Sequence, residues 1–143
     1  MSIYTTNKSA YDIATIMTME SGKPLHESLG EVAYGTSFLD YYAAEAIRPS
    51  AAGGGFMVPT PFVQPGGTAP RGKVMAVNEA VGVVSLITPW NFPIAMITRK
   101  AGPALAVGCT VVLKPSELTP LTAVALQTLA TRAGVPDGVF EIV

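Results

Sequence analysis

Apolar positions along the 143-residue chain change period twice, and the two changes divide it into three stretches. In the first, Ser9 and Asp12 form an S-x-x-D start whose side chains suit the free amides of an opening helical turn. Ile13, Ile16 and Met17 then share a face until Ser21-Gly-Lys-Pro24 stops the run, predicting a helix over about Ala10 to Glu20. A second series, Val32, Thr36, Leu39, Tyr42, Ala43 and Ala46, recurs at intervals of three and four and ends at Arg48-Pro49. It predicts a helix from Leu29 to Ile47, with His26 in the loop before it. From Ser50 to Lys73 periodicity gives way to clustered Gly and Pro, the composition of a connector. No apolar strand precedes those glycines and no helix follows, so they lack the setting of a phosphate cradle.

Regularity returns in the third stretch. Val74 to Val77 reads as a strand, and Val81 to Thr88 is a nearly continuous apolar run rich in β-branched residues, of the kind expected in a parallel strand buried on both faces. Pro93 opens a helix carrying Ile94, Ile97, Ala101, Leu105 and Ala106 on one face, closed by Gly108. Thr110 to Lys114 is a short strand. Thr119-Pro120 starts a helix over Leu121 to Arg132, with Val124, Leu126 and Leu129 as apolar positions, and Val139 to Val143 is the last strand. The order strand, helix, strand, helix, strand predicts an α/β fold. It is a partial doubly wound (Rossmann-like) parallel sheet over 81–143, preceded over 1–80 by two helices, the connector and a strand. Ligands of such sheets bind beyond the carboxyl ends of the strands. Two helices on three strands leave sheet faces and an edge uncovered, so the chain is expected to be a piece of a larger protein.

Composition agrees with a packed domain: 49% of residues are hydrophobic and 13% charged, against a usual charged share of about 25%. Nine basic residues against ten acidic give a net charge of −1, so no nucleic-acid partner and no attraction to an acidic membrane surface is expected. Ala80 to Thr98 carries no charge and is long enough to cross a bilayer, but Pro89, Asn91 and Pro93 make it a poor spanning helix. A single cysteine and the lack of a secretory pattern point to a reducing, intracellular compartment, cytoplasmic or mitochondrial. His26 has no second histidine or acidic cluster beside it, so no metal is expected. Cys109, between a helix end and a buried strand, reads as a packing residue.

Candidate chemistry collects at the predicted ligand edge. After the first parallel strand, Thr88-Pro-Trp-Asn-Phe-Pro93 presents an indole and an amide between two prolines. Two readings stand: Trp90 packs in the core while Asn91 caps the next helix, or Asn91 faces a ligand and stabilises an oxyanion. After the second strand, Lys114-Pro-Ser-Glu117 places an ammonium and a carboxylate three residues apart, suited to a nucleotide ribose or to plain solvation.

Thr88-Pro-Trp-Asn-Phe-Pro93, Lys100 with Gly102-Pro-Ala-Leu-Ala106, and Val112-Leu-Lys-Pro-Ser-Glu117 with Thr119-Pro120 together resemble the aldehyde dehydrogenase superfamily. Glu20-Ser-Gly-Lys-Pro-Leu25, Glu31 with its following aromatic helix, and Met96-Ile-Thr-Arg-Lys-Ala-Gly-Pro103 resemble its succinate-semialdehyde dehydrogenase branch. The resemblance runs from about Tyr11 to Val143; the leader Met1 to Lys8 carries none of it.

Members of that family oxidise an aldehyde through a cysteine thiohemiacetal, with NAD or NADP as hydride acceptor. The resemblance implies that Asn91 is the side-chain donor of the oxyanion hole and that Lys100 lies near the reacting centre. It also implies that Ile87, Thr88, Pro89 and Trp90 line the cofactor cleft with Asn91, and that Lys114, Pro115, Ser116 and Glu117 meet the adenosine ribose. A carboxylate at Glu117 repels a 2′-phosphate, which favours NAD; Lys114 offsets part of that. The substrate implied is succinate semialdehyde, within 4-aminobutyrate breakdown, and the full-length enzyme is expected to be a homo-oligomer. The family's nucleophilic cysteine and general-base glutamate have no counterpart here, so the chain alone is expected to be inactive. Two rival readings are a non-catalytic subunit pairing with full-length homologues and a nucleotide-binding module without redox chemistry.

Overall fold

A computed structural model describes residues 7–48, 55–63, 65–68 and 72–143. The elements are α1 (Asn7–Ser21), α2 (Leu25–Ala46), β1 (Gly55–Pro59), β2 (Lys73–Val77), β3 (Val83–Ile87), α3 (Pro93–Ala106), β4 (Thr110–Lys114), α4 (Pro120–Arg132) and β5 (Phe140–Ile142). The second half follows the expected alternation of strands and helices within a residue or two at most boundaries.

β3, β4 and β5 form a parallel sheet in that order, with Val84 opposite Val111, Leu86 opposite Leu113, and Val111 opposite Phe140. Right-handed crossovers advancing in one direction put α3 and α4 on the same face. Burial follows: Val111 and Leu113 are completely enclosed and Leu86 nearly so, while Val83 and Ile87 on the other face are 70% and 68% exposed. The expectation that Val81 to Thr88 is buried on both faces is therefore corrected to burial on one. The same stretch also answers the question raised by its missing charges, because Ala80 to Thr98 divides into a strand, a turn and the start of α3. Among the described residues no helix is long and apolar enough to cross a membrane.

α1 and α2 lie over α3 and α4 as a further layer, and one core joins Ile13, Ala14 and Met17 of α1, Val32 of α2, Ile94, Ile97 and Ala101 of α3, and the sheet residues. Close packing of α2 on α3 depends on Gly35, where a Cβ would run into the Ile94 side chain and come within 3.3 Å of the Thr98 hydroxyl. In α4 the buried positions are Thr122, Ala123 and Leu126, whereas Val124 is about half exposed.

Three sequence expectations about the first half need correction. Helix α1 begins at Asn7, so Ser9 and Asp12 lie inside it and do not form its start. Helix α2 begins at Leu25, because the Pro24 carbonyl already accepts the amides of Glu27 and Ser28 at 3.0 Å, and His26 is thereby in its first turn. The Ser50 to Lys73 stretch holds a strand, β1, antiparallel to β2 from Gly55 opposite Val77 to Pro59 opposite Lys73. Its short Phe-Met-Val run is exposed throughout, so no buried face gave it a detectable alternation. Gly53, Gly54 and Pro70 of that stretch lie outside the described residues.

Candidate functional site

The carboxyl ends of β3 and β4 meet at one edge. Ile87 pairs with Lys114, and the Thr88 amide donates to the Lys114 carbonyl at 3.2 Å, extending the ladder one residue into the turn. Asn91, just beyond β3, and Lys114, the last residue of β4, thus lie on the same border of the molecule. Thr88 is buried, whereas Ile87, Pro89, Trp90 and Asn91 are exposed.

Trp90, about half exposed, is not a core residue, and Asn91 does not cap α3. The position before that helix is Phe92, which makes no side-chain cap bond. The cap comes from a distant acid: Glu31 Oε1 accepts the amides of Ile94 at 2.8 Å and Ala95 at 3.3 Å. These are the orphan donors of the first turn, at the positive end of the helix, where a carboxylate is favoured. The other Glu31 oxygen pairs with the Lys23 ammonium. Lys23 also donates to the Asn91 carbonyl at 3.1 Å and stands 4.8 Å from the centroid of the Phe92 ring.

The α4 start repeats this arrangement. Thr119 precedes the helix without a side-chain cap bond. Glu20 instead accepts the amides of Leu121 at 2.8 Å and Thr122 at 3.0 Å, together with the Thr122 hydroxyl. Glu20 and Glu31, two acids from the α1–α2 segment, therefore hold the starts of both helices that leave this edge. A shallow depression between the two turns is lined by Glu20, Ser21, Trp90, Leu118 and Thr119.

Lys100 reaches back from α3 to the Ile87 carbonyl, donating at 2.6 Å, so its ammonium sits at the end of β3. Lys114 and Glu117 form an exposed ion pair at 3.5 Å. A hydrogen bond from its own backbone amide, then the charge and hydrogen bond of Lys114, hold the Glu117 carboxyl below its ordinary value of 4.5. It is a carboxylate at neutral pH. Ser116 is turned into its own loop, where its hydroxyl accepts the Leu118 amide at 3.3 Å, and Pro115 is half-buried. Cys109 is buried, with 3% exposure. Among the described residues no group of three or more His, Cys, Asp or Glu could hold a metal.

The motifs that contain Glu20, Lys23 and Glu31 do not by themselves reveal which amides and carbonyls these side chains hold. One signal was available: Glu31 falls on the face of α2 that also carries Ser28, Val32, Gly35 and Thr36, all buried. A carboxylate on such a face needs a partner.

These observations define an open parallel α/β protein whose polar and aromatic side chains gather at the carboxyl ends of two adjacent strands. Comparison with known proteins gives the family. The Aldehyde dehydrogenase family profile matches residues 4–143, and the chain belongs to that family. The match begins before the Tyr11 at which the motif resemblance starts. Over 132 residues the chain is 53% identical to the mitochondrial succinate-semialdehyde dehydrogenase of Arabidopsis thaliana, covering 92% of this chain and 23% of that protein. It is 51% identical over 132 residues to a glutarate-semialdehyde dehydrogenase of Pseudomonas aeruginosa, covering 92% and 25%. A crystal structure of an E. coli NADP-dependent enzyme superposes with a TM-score of 0.82 at 48% identity, covering 94% of this chain and 26% of that one. The chain thus spans about a quarter of the length of the curated relatives it matches.

Proposed function

We propose that the chain supplies the amino-terminal part, and one wall of the active site, of an NAD(P)-dependent aldehyde dehydrogenase acting on a short ω-carboxyl semialdehyde, succinate semialdehyde first. The observation that carries this reading is the shared edge, where the Thr88–Lys114 hydrogen bond sets the Asn91 turn beside the Lys114–Glu117 pair. The names of the similar proteins, succinate- and glutarate-semialdehyde dehydrogenase, support the substrate class.

The residues fit a nicotinamide dinucleotide. Ile87 and Trp90 offer exposed apolar surface to a flat ring system, and Glu117 is an exposed, ionised acceptor for a ribose diol. When bound, that coenzyme accepts the hydride removed from the aldehyde carbon. The chain's own contribution is binding and charge placement. Asn91 donates its side-chain amide to the aldehyde oxygen as negative charge builds there. Lys100 fixes the Ile87 carbonyl and so the end of β3, while Lys114 and Glu117 hold the ribose and orient the nucleotide. The full-length protein is read as a homo-oligomer of a mitochondrial or cytoplasmic compartment.

Family chemistry requires an accessible thiolate, and the one cysteine of these residues is buried Cys109. The chain alone is therefore expected to give no aldehyde-dependent reduction of NAD or NADP. A hybrid in which residues 7–143 replace the matching segment of the Arabidopsis enzyme is expected to oxidise succinate semialdehyde. Turnover by the chain alone, or a folded hybrid that binds neither coenzyme, contradicts the proposal.

Glu117 also sets an expectation for coenzyme choice. Its charge opposes a 2′-phosphate, so the hybrid should prefer NAD, and Glu117→Gln should raise the ratio of NADP to NAD kcat/KM several-fold. An unchanged ratio would place the ribose elsewhere.

A further inference from the structure

We propose that Lys23 and Glu31 are positioning residues that lock the Trp90–Pro93 turn and so aim the Asn91 amide. This deepens the reading of Asn91 given above and rests on it. The pair grips the turn and the start of the helix after it at successive points: the Asn91 carbonyl and the Phe92 ring through Lys23, then the Ile94 and Ala95 amides of α3 through Glu31. Both side chains are withdrawn from water, Glu31 to 1% exposure and Lys23 to 15%.

A buried ion pair is weak evidence for stability, since desolvation consumes much of its attraction, and well-packed apolar residues of equal volume often serve as well. What apolar residues cannot do is hold a particular carbonyl and particular amides in register. A carboxylate that merely caps a helix has no need to reach residues before it. Here the cap is joined to a cation that, through a second of its donors, grips the residue proposed to meet the substrate oxygen. Three donors on one ammonium allow both contacts at once. Small displacements at such a turn matter because an oxyanion donor works only within hydrogen-bond reach of the developing charge.

The chain carries one tryptophan, and it is Trp90, inside the turn, so its fluorescence reports the local geometry directly. The double variant Lys23→Met/Glu31→Gln removes both charges, leaves no orphan ion, and keeps an oxygen that can accept the α3 amides. It is expected to retain the helical circular dichroism of the parent while Trp90 loses steady-state anisotropy and becomes more readily quenched by acrylamide. Lys23→Arg, which preserves the charge and several donors, should keep both values. A double variant with parental helicity, anisotropy and quenching overturns the proposal. A second measurement covers a variant that fails to fold: in the unaltered chain, NMR should show a slowly exchanging Lys23 ammonium coupled through its hydrogen bond to the Asn91 carbonyl. Absence of that coupling is equally fatal.

In the hybrid enzyme the double variant should lower kcat more than it alters KM. A loosened turn with unchanged kcat overturns the aiming role if Asn91→Ala itself slows the enzyme. If Asn91→Ala has no effect, the fault lies with the reading of Asn91, and the Trp90 signals still decide whether the pair locks the turn.

Discussion

Asn91→Ala in the hybrid enzyme is expected to lower kcat by about 10²- to 10³-fold, the usual consequence of deleting one preorganised oxyanion donor. The expectation follows from geometry. Asn91 is exposed beyond the end of β3, and the capping duty that would otherwise explain an amide before a helix belongs to Glu31. Its backbone is held by Lys23, so the side chain is free to serve a ligand while its root is fixed. Because an oxyanion donor acts on charge that develops during reaction, KM should change far less than kcat. Asn91→Asp should be at least as damaging, since a carboxylate replaces a donor. Steady-state kinetics with succinate semialdehyde decides the matter, and a kcat within a few-fold of the parent would remove Asn91 from the oxyanion hole.

Glu31→Ala should produce the largest loss of stability of any single change at the edge. It leaves the Ile94 and Ala95 amides without their acceptor and strands the Lys23 ammonium in a mostly dry setting. Breaking a buried pair from one side costs about 3–5 kcal/mol, a large part of the roughly 5–15 kcal/mol by which ordinary domains are stable. Urea titration followed by circular dichroism should show a lower midpoint with an unchanged slope. Removing both charges in Lys23→Met/Glu31→Gln should cost much less, because no ion is left behind. A loss below about 1 kcal/mol for Glu31→Ala, the range of exposed pairs, would mean that water reaches the carboxylate.

Legibility in the sequence tracked the physics of each signal. The boundaries of β4 and α3 were readable because local devices mark them: an apolar run ending at Lys114, Pro93 in the first turn, and Gly108 in the left-handed region at φ +85°. The juxtaposition of Asn91 with Lys114 was also readable, since parallel strands joined by a helix must end on the same border. β1 was missed because all its residues are exposed and its partner lies beyond a long Gly/Pro stretch. The acceptors of the helix-start amides are not readable for a related reason. Thr119 stands at the N-cap position with suitable chemistry, yet Glu20, about a hundred residues earlier, takes the amides. Local capping rules see four residues, and no spacing in a single sequence reveals a partner at that remove.

That separation bears on how the chain acquires its shape. Glu31 meets amides 63 and 64 positions later, and Glu20 meets groups 101 and 102 positions later. Contacts of such span repay the entropy of loop closure only after nearly everything between them is in place. As synthesis proceeds from the amino end, α1 and α2 emerge with carboxylates whose partners do not yet exist. The edge shared by β3 and β4 is then among the last parts of the chain to become rigid.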